Sequence, residues 1–416
     1  MTVVPPAHQV GMECGVPKRL IVCLDGSWDV PSDVSTVPPR TARLSLDPTN
    51  ASCTSENPAT NVRRFYDSVL PRSHNGWPQT KWYDDGTDLP WLGRYRDGTF
   101  GYALDLQILQ SYAYLVTLYE PGDEIFLYGF SRGAYVARTL TGLVGTCGLI
   151  SPSLIDAQQL NRVKDLALSS PSNLATSYEL TRSLRELVLH PGDHLLTEAY
   201  RLYRNLGHDA HGRASASFRS QAGQTASIAL LGVWDTVGPL GIPTKALKCL
   251  NDHRYNFHDT DLSITVKRAY HALAIDEHRS DYNATLWTSP TRDGQILEQR
   301  WFSGSHGDVG GVYRERELSD LSLSWIQRRS VEAGISIEGA NSKYEPNPLG
   351  QLHDSFSEGF RGLRRWLHSR FYRPVLQTGT GTEVLDESVR IRLLRDSNYR
   401  PNNEGLRSAM TFADRR

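Results

Sequence analysis

The chain has 416 residues, room for one large domain with insertions or for roughly two or three ordinary ones. With 39% hydrophobic, 9% aromatic and 22% charged residues, it is neither a disordered nor a collagen-like chain, and it has the apolar material for a sizeable core. Lys plus Arg total 45 against 46 Asp plus Glu. No overall field therefore draws the molecule to nucleic acid or to an anionic membrane, and any such attraction must be local.

In chain order, residues 1–17 form an N-terminal tail with no basic stretch leading into an apolar one. No apolar run anywhere is long enough to span a bilayer, so neither a signal peptide nor a membrane span is expected. Synthesis in the cytoplasm follows, with delivery by a specialised secretion route left open. Cys14, Cys23, Cys53, Cys147 and Cys249 show no zinc-type spacing and no disulfide framework. The apolar run R-L-I-V-C-L at 19–24 predicts a first buried strand, and residues 30–58, rich in Pro, Ser and Thr, predict a long surface loop after it. Helices are expected over 61–69 and 102–119, a strand over 124–130 (E-I-F-L-Y-G-F), then a helix over 132–144.

Residues 151–213 carry helical periodicity and no strand, which predicts a helical insertion, a candidate cap over the sheet. Further strands are expected at 227–234 (S-I-A-L-L-G-V-W) and 296–302, with helices over 261–277 and 318–333. The βα alternation defines an α/β class with a mostly parallel sheet flanked by helices. The expected division is a tail at 1–17, the first part of the α/β domain at 18–150, the insertion at 151–226, the remainder at 227–401 and a tail at 402–416.

The most specific chemical signal is Gly129-Phe130-Ser131-Arg132-Gly133, a G-x-S-x-G set where a buried strand ends and a helix begins. At such a turn the serine hydroxyl is exposed in a strained conformation, and the glycines let strand and helix pass closely. Ser131 is the candidate nucleophile. A serine hydroxyl needs a base and an orienting acid near neutral pH. Asp235 follows the strand at 227–234 and falls on the same sheet edge as Ser131, with Asp308 the next candidate acid. His306, in the glycine-rich loop S-G-S-H-G-D-V-G-G after the strand at 296–302, is the candidate base. His271 is its rival within the predicted helix 261–277, where a structural histidine is the more ordinary role, and His278 is similarly placed. An oxyanion needs at least two donors. The backbone N–H of Arg132 is one, and Gly26 or Ser27, in the turn L-D-G-S-W after the first strand, offers the second.

Taken together, L-D-G-S-W, T-N-V, Y-E-P-G-D-E-I-F-L-Y-G-F-S-R-G-A-Y-V-A-R, G-V-W-D-T-V-G, H-A-L-A-I-D-E-H-R and W-F-S-G-S-H-G-D-V-G-G resemble a catalytic-domain family. It is shared by type VI secretion phospholipase effectors and many uncharacterised bacterial and fungal hydrolases. The resemblance runs from about Lys18 to Pro401. It implies an α/β-hydrolase fold with Ser131, Asp235 and His306 as a triad, and esterase or phospholipase A-type activity. The chain departs from the family pattern in its long polar loop after Trp28, in Y-D-D-G-T-D at 83–88 and in G-D-V-G-G-V after the histidine.

Asp25, Asp84, Asp85, Asp88 and Asp308 stand in glycine-containing loops, where turn and cap roles are the default and oxygen ligation of Ca²⁺ or Mg²⁺ the alternative. No metal or cofactor is expected. Residues 360–373 (F-R-G-L-R-R-W-L-H-S-R-F-Y-R) contain five Arg, no acid and four aromatics. A solvated helix packing its aromatics inward is the ordinary role for such a segment. A peripheral contact with anionic lipid through Arg361, Arg364, Arg365 and Arg370 is the functional one. The function expected is ester hydrolysis, with an ester or phospholipid as the substrate partner and no nucleic acid. The rivals are an inactive scaffold on the same fold and a metal-assisted hydrolase.

Overall fold

The structure is a computed structural model and describes residues 16–26, 58–86, 99–169, 174–190, 194–205, 209–238, 261–338, 344–359 and 369–406. The loop expected at 30–58 lies outside the described residues except for Pro58, as does the predicted oxyanion residue Ser27.

Seven strands form one sheet in the order β2-β1-β3-β6-β7-β8-β9. They are β1 (Arg19–Leu24), β2 (Gln79–Asp84), β3 (Glu124–Phe130), β6 (Ile228–Trp234), β7 (Arg268–Ala274), β8 (Ile296–Phe302) and β9 (Glu383–Leu385). Every neighbouring pair is parallel. A parallel sheet is covered on both faces, so its central strands are apolar throughout rather than alternating. The two-residue strands β4 (Leu149–Ile150) and β5 (Gly223–Gln224) pair separately.

Side chains still alternate between faces. Leu20, Val22 and Leu24 of β1 join the core under α2 (Thr99–Leu118) and α3 (Arg132–Cys147), while Ile21 and Cys23 join the opposite core with Val62 and Phe65 of α1 (Asn61–Ser68). The helix Glu317–Glu332 completes that second layer through Leu323, Trp325 and Ile326. A smaller cluster of Leu273, Ile275, Trp301, Val375, Val389 and Leu406 seats the C-terminal segment against β7 and β8. This is an α/β-hydrolase-like arrangement.

Between β4 and β5 lie α4 (Ala157–Ser169), α5 (Leu174–Val188), α6 (Leu195–Arg204) and α7 (Asp209–Ala222). Their Leu160, Val163, Leu184, Leu187 and Leu202 are buried in the core with α2 and α3, whereas Leu154, before α4, and Leu189, after α5, are exposed.

One expected element is wrong. Residues 261–277 are not a helix: Arg268–Ala274 is the parallel strand β7 between β6 and β8, so His271 lies in a strand. The run A-Y-H-A-L-A-I is buried on both faces and alanine-rich, which erases the alternation that separates strand from helix.

Candidate active site

Sheet register assembles the site. Phe130 of β3 pairs with Trp234 of β6, Trp234 with Ala272 of β7, and Ala274 with Phe302 of β8. The chain segments that leave the carboxyl ends of β3, β6 and β8 therefore emerge along one edge, with β7 between the last two, and they carry Ser131, Asp235 and His306. Open α/β sheets bind ligands along this edge.

Ser131 joins β3 to α3 at φ 57°, ψ −117°, a conformation side chains rarely adopt. Its backbone N–H donates to the Trp234 carbonyl at 3.0 Å, which ties the turn to β6. The neighbouring glycines are needed for contact. A Cβ on Gly133 would lie 2.1 Å from the Leu24 carbonyl oxygen, and one on Gly129 would lie 2.5 Å from the Gly133 carbonyl oxygen.

His306 opens the one-turn helix His306–Gly310 rather than sitting in an irregular loop. Ser305 caps that helix, and the Asp308 side chain closes a capping box with the Ser305 backbone. The His306 ring is held between Phe130, stacked at 4.6 Å, and Tyr282, edge-on at 5.2 Å. Its Nε2 is 2.9 Å from Ser131 Oγ and its Nδ1 is 2.6 Å from Asp235 Oδ2. All three residues are buried.

Asp235 also takes a positive φ, 38°. Its Oδ1 accepts from the Ala274 N–H at 3.0 Å and from Arg373 Nη1 at 2.6 Å, and its Oδ2 accepts from Arg373 Nη2 at 2.9 Å. Burial alone would raise its pKa. The Arg373 guanidinium and then the His306 hydrogen bond reverse this and hold the carboxyl well below the usual range. Beside it, the buried Glu277 accepts from Arg279 Nε at 2.9 Å, from Ser355 Oγ at 2.8 Å and from the His306 backbone N–H at 3.3 Å. Against its burial, Arg279 holds the Glu277 carboxyl below its usual range.

The other expected residues fall as follows. His271 Nε2 accepts from the Thr236 N–H at 3.1 Å, and burial pushes its pKa down to about 3, so it stands as a neutral acceptor bracing the turn after Asp235. His278 shares a hydrogen bond of 3.0 Å with the Phe371 carbonyl. Asp308 faces away from the row: its Oδ1 is 2.6 Å from His353 Nδ1.

Gly26 is placed beside the turn, since a Cβ there would lie 2.9 Å from the Arg132 nitrogen. Its own N–H, however, donates to Asp25 Oδ1 at 2.9 Å, so that amide is committed inward. Gly26 thus provides room rather than a pointing donor. Asp25 also accepts from Tyr83 OH at 2.9 Å and from the Thr60 hydroxyl, and burial pushes its pKa up to about 6. Asp84 accepts from the Gly86 N–H and Asp85 from Tyr178 OH, while Asp88 lies outside the described residues. No three His, Cys, Asp or Glu come together as metal ligands among the described residues.

The basic aromatic segment is not uniformly a surface. Residues 360–368 lie outside the described residues. Arg370 is paired with Asp354, and Arg373 is buried on Asp235. Arg373, Glu277 and Tyr282 were not singled out from sequence, and only the arginine count of 360–373 hinted at the first. A groove of about 840 Å³ between α4 and α5, lined by Gln158, Arg162, Glu179 and Arg182, holds none of the residues of the row. No described helix is long and apolar enough to cross a membrane.

Fold and side-chain row together define an α/β-hydrolase-like protein with a serine, histidine and aspartate in hydrogen-bonded sequence. The family model of the type VI secretion phospholipase effectors, Tle1-like, catalytic domain, matches residues 18–329, and the chain belongs to this family. The uncharacterized protein YEL023C of Saccharomyces cerevisiae is 45% identical over 58 residues, 14% of this chain and 8% of the yeast protein. The solved structure of the Tle1 effector bound to the VgrG spike of the type 6 secretion system is 15% identical, with a TM-score of 0.33 over 72% of this chain and 52% of that one. An uncharacterized protein from Pseudomonas aeruginosa is 17% identical, with a TM-score of 0.35 over 77% of this chain and 47% of that one. The chain spans about half the length of these two structures.

Proposed function

We propose that the chain is a serine-dependent hydrolase of carboxylic esters that acts on lipids, phospholipids foremost. The carrying observation is that His306 Nε2 lies 2.9 Å from Ser131 Oγ while His306 Nδ1 lies 2.6 Å from Asp235 Oδ2, with Ser131 in an elbow conformation. Ser131 Oγ attacks the ester carbonyl as His306 Nε2 takes its proton, and Asp235 holds the ring and balances the imidazolium. The oxyanion forms next to the Arg132 N–H. The Gly26 amide is turned to Asp25, and Ser27, the other second donor the sequence offers, lies outside the described residues. The intermediate collapses to an acyl-Ser131 as His306 gives its proton to the leaving alcohol. Water deprotonated by the same base then attacks the acyl carbon, the proton passing to Ser131 Oγ as the acid leaves.

Lipid as the substrate class is supported by the family description, which names phospholipase effectors. Delivery by type VI secretion has the same support and belongs to the proposal. The division of the α/β domain around an insertion at 151–226 is part of the proposal too, on the ground that α4 to α7 lie between β4 and β5. Hydrolysis of p-nitrophenyl esters from acetate to octanoate, with fatty-acid release from phosphatidylcholine vesicles, tests the reading. The six added methylenes are worth up to about 5 kcal/mol if an apolar pocket receives them. kcat/KM rising with chain length supports a lipid substrate, and a preference for acetate removes it.

A further inference from the structure

We propose that Arg373 is a positioning residue of this site: from the C-terminal segment it fixes the Asp235 carboxylate in the plane that aims Oδ2 at His306. The inference rests on the reading of Ser131, His306 and Asp235 as the reacting row.

The two side chains are 1% and 0% exposed, and they meet end-on, Nη1 to Oδ1 at 2.6 Å and Nη2 to Oδ2 at 2.9 Å. A guanidinium engaged through two parallel bonds sets an orientation as well as a charge. Arg373 is itself clamped. Nη1 donates to the Ala274 carbonyl at 2.7 Å, at the end of β7, and Nη2 donates to the carbonyl of Tyr282, whose ring lies against His306. Asn403 Nδ2 donates to the Arg373 carbonyl at 3.0 Å and reaches the Ile275 carbonyl at 3.4 Å, pinning the segment to the chain that leaves β7. Each Asp235 oxygen therefore has two partners: Oδ1 takes Arg373 and the Ala274 N–H, and Oδ2 takes Arg373 and His306. Without the arginine, each oxygen keeps a single partner, the Ala274 N–H on Oδ1 and His306 on Oδ2, and the paired bonds that fix the carboxylate plane are lost.

Arg373 lies beyond residue 329, where the family match ends. The C-terminal segment thus contributes to the site and does more than cover the core.

The fork also sets the charge around the base. Among the described residues, the charged and titratable neighbours of the His306–Asp235 pair include Arg373, the Glu277–Arg279 pair, Tyr282 edge-on to the ring, His271 and, across His271, Arg138. Removing Arg373 takes one cation from this set, so the pair binds its proton more tightly and active enzyme appears only at higher pH.

The test compares wild type, Arg373→Met and Arg373→Lys on p-nitrophenyl butyrate across pH, with folding checked by circular dichroism. Arg373→Met is expected to lose about 10²-fold in kcat, the scale of a 1 Å misplacement, with KM little changed and the acid limb of kcat/KM moved to higher pH. Arg373→Lys should return the limb toward wild type while restoring kcat only in part, since it supplies the charge without the fork. A folded Arg373→Met with wild-type kcat and an unmoved limb overturns the proposal, as does an equal loss in both variants with no movement of the limb. Should Arg373→Met not fold, Arg373→Lys decides alone, and wild-type kcat in it overturns the fork's role. Failure of the underlying reading looks different: wild-type protein would then turn over esters undiminished by Ser131→Ala.

Discussion

Asp235 carries His306 on one oxygen at 2.6 Å while Arg373 grips both of its oxygens. The same carboxylate serves the base and neutralises a buried guanidinium. Asp235→Asn should therefore do two things at once. Turnover falls by about 10⁴, the effect of a mis-set tautomer in such rows, and the melting temperature falls as well, because a buried charge left without its partner costs about 3–5 kcal/mol. Ester kinetics and thermal denaturation on the same preparation check both. Loss of rate with an unchanged melting temperature would separate Arg373 from Asp235.

Ser131 holds a conformation, φ 57° and ψ −117°, that suits glycine better than any side chain. Such strain costs of order 1–3 kcal/mol. Ser131→Gly should raise the melting temperature while abolishing ester hydrolysis, an inverse response that a merely structural serine would not give.

The two candidate bases separate by mutation. His306→Ala should remove activity on the scale of Asp235→Asn or beyond. His271→Gln should retain most of kcat and instead lower stability, since His271 braces the Thr236 N–H as a neutral acceptor. Comparable kcat losses in the two variants would contradict the assignment.

Asp276 is buried with its carboxyl pushed up to about 7, and it accepts from the Gly304 N–H at 2.7 Å and from Tyr399 OH at 2.9 Å. A carboxyl whose folded pKa is raised favours folding while it is protonated, and its contribution is lost as pH climbs through that value. Wild-type stability should therefore decline between about pH 4, where the unfolded carboxyl ionises, and about pH 7, where the folded one does, and Asp276→Asn should flatten that decline. Melting temperature against pH reads both, and parallel curves for the two proteins would refute it.

How far the site was legible depended on how local its signals are. The strand-to-helix turn at Ser131 was legible, because G-x-S-x-G between an apolar run and a helix is a contiguous pattern whose glycines answer to contacts with Leu24 and Gly133. Strands β1 and β3 were readable to the residue, since continuous apolar runs bounded by turns suit a parallel sheet, and β8 (I-L-E-Q-R-W-F) was bounded to the residue by its apolar ends alone. β7 was not, its alanines and central histidine mimicking a buried helix. β2 (Q-T-K-W-Y-D) and β9, three residues long, carry too little apolar pattern to be seen. Arg373 was hidden for a different reason. Five arginines among aromatics look like a surface, and only the fold brings one of them onto a carboxylate 138 positions away in sequence.

The central claim is that Ser131 is a base-activated nucleophile. Treatment of the folded chain with a fluorophosphonate probe, followed by peptide mapping, tests it most directly. A single adduct on Ser131 is expected, absent in Ser131→Ala and formed far more slowly in His306→Ala. A folded wild-type protein that takes no label, or takes it on another serine, would contradict it.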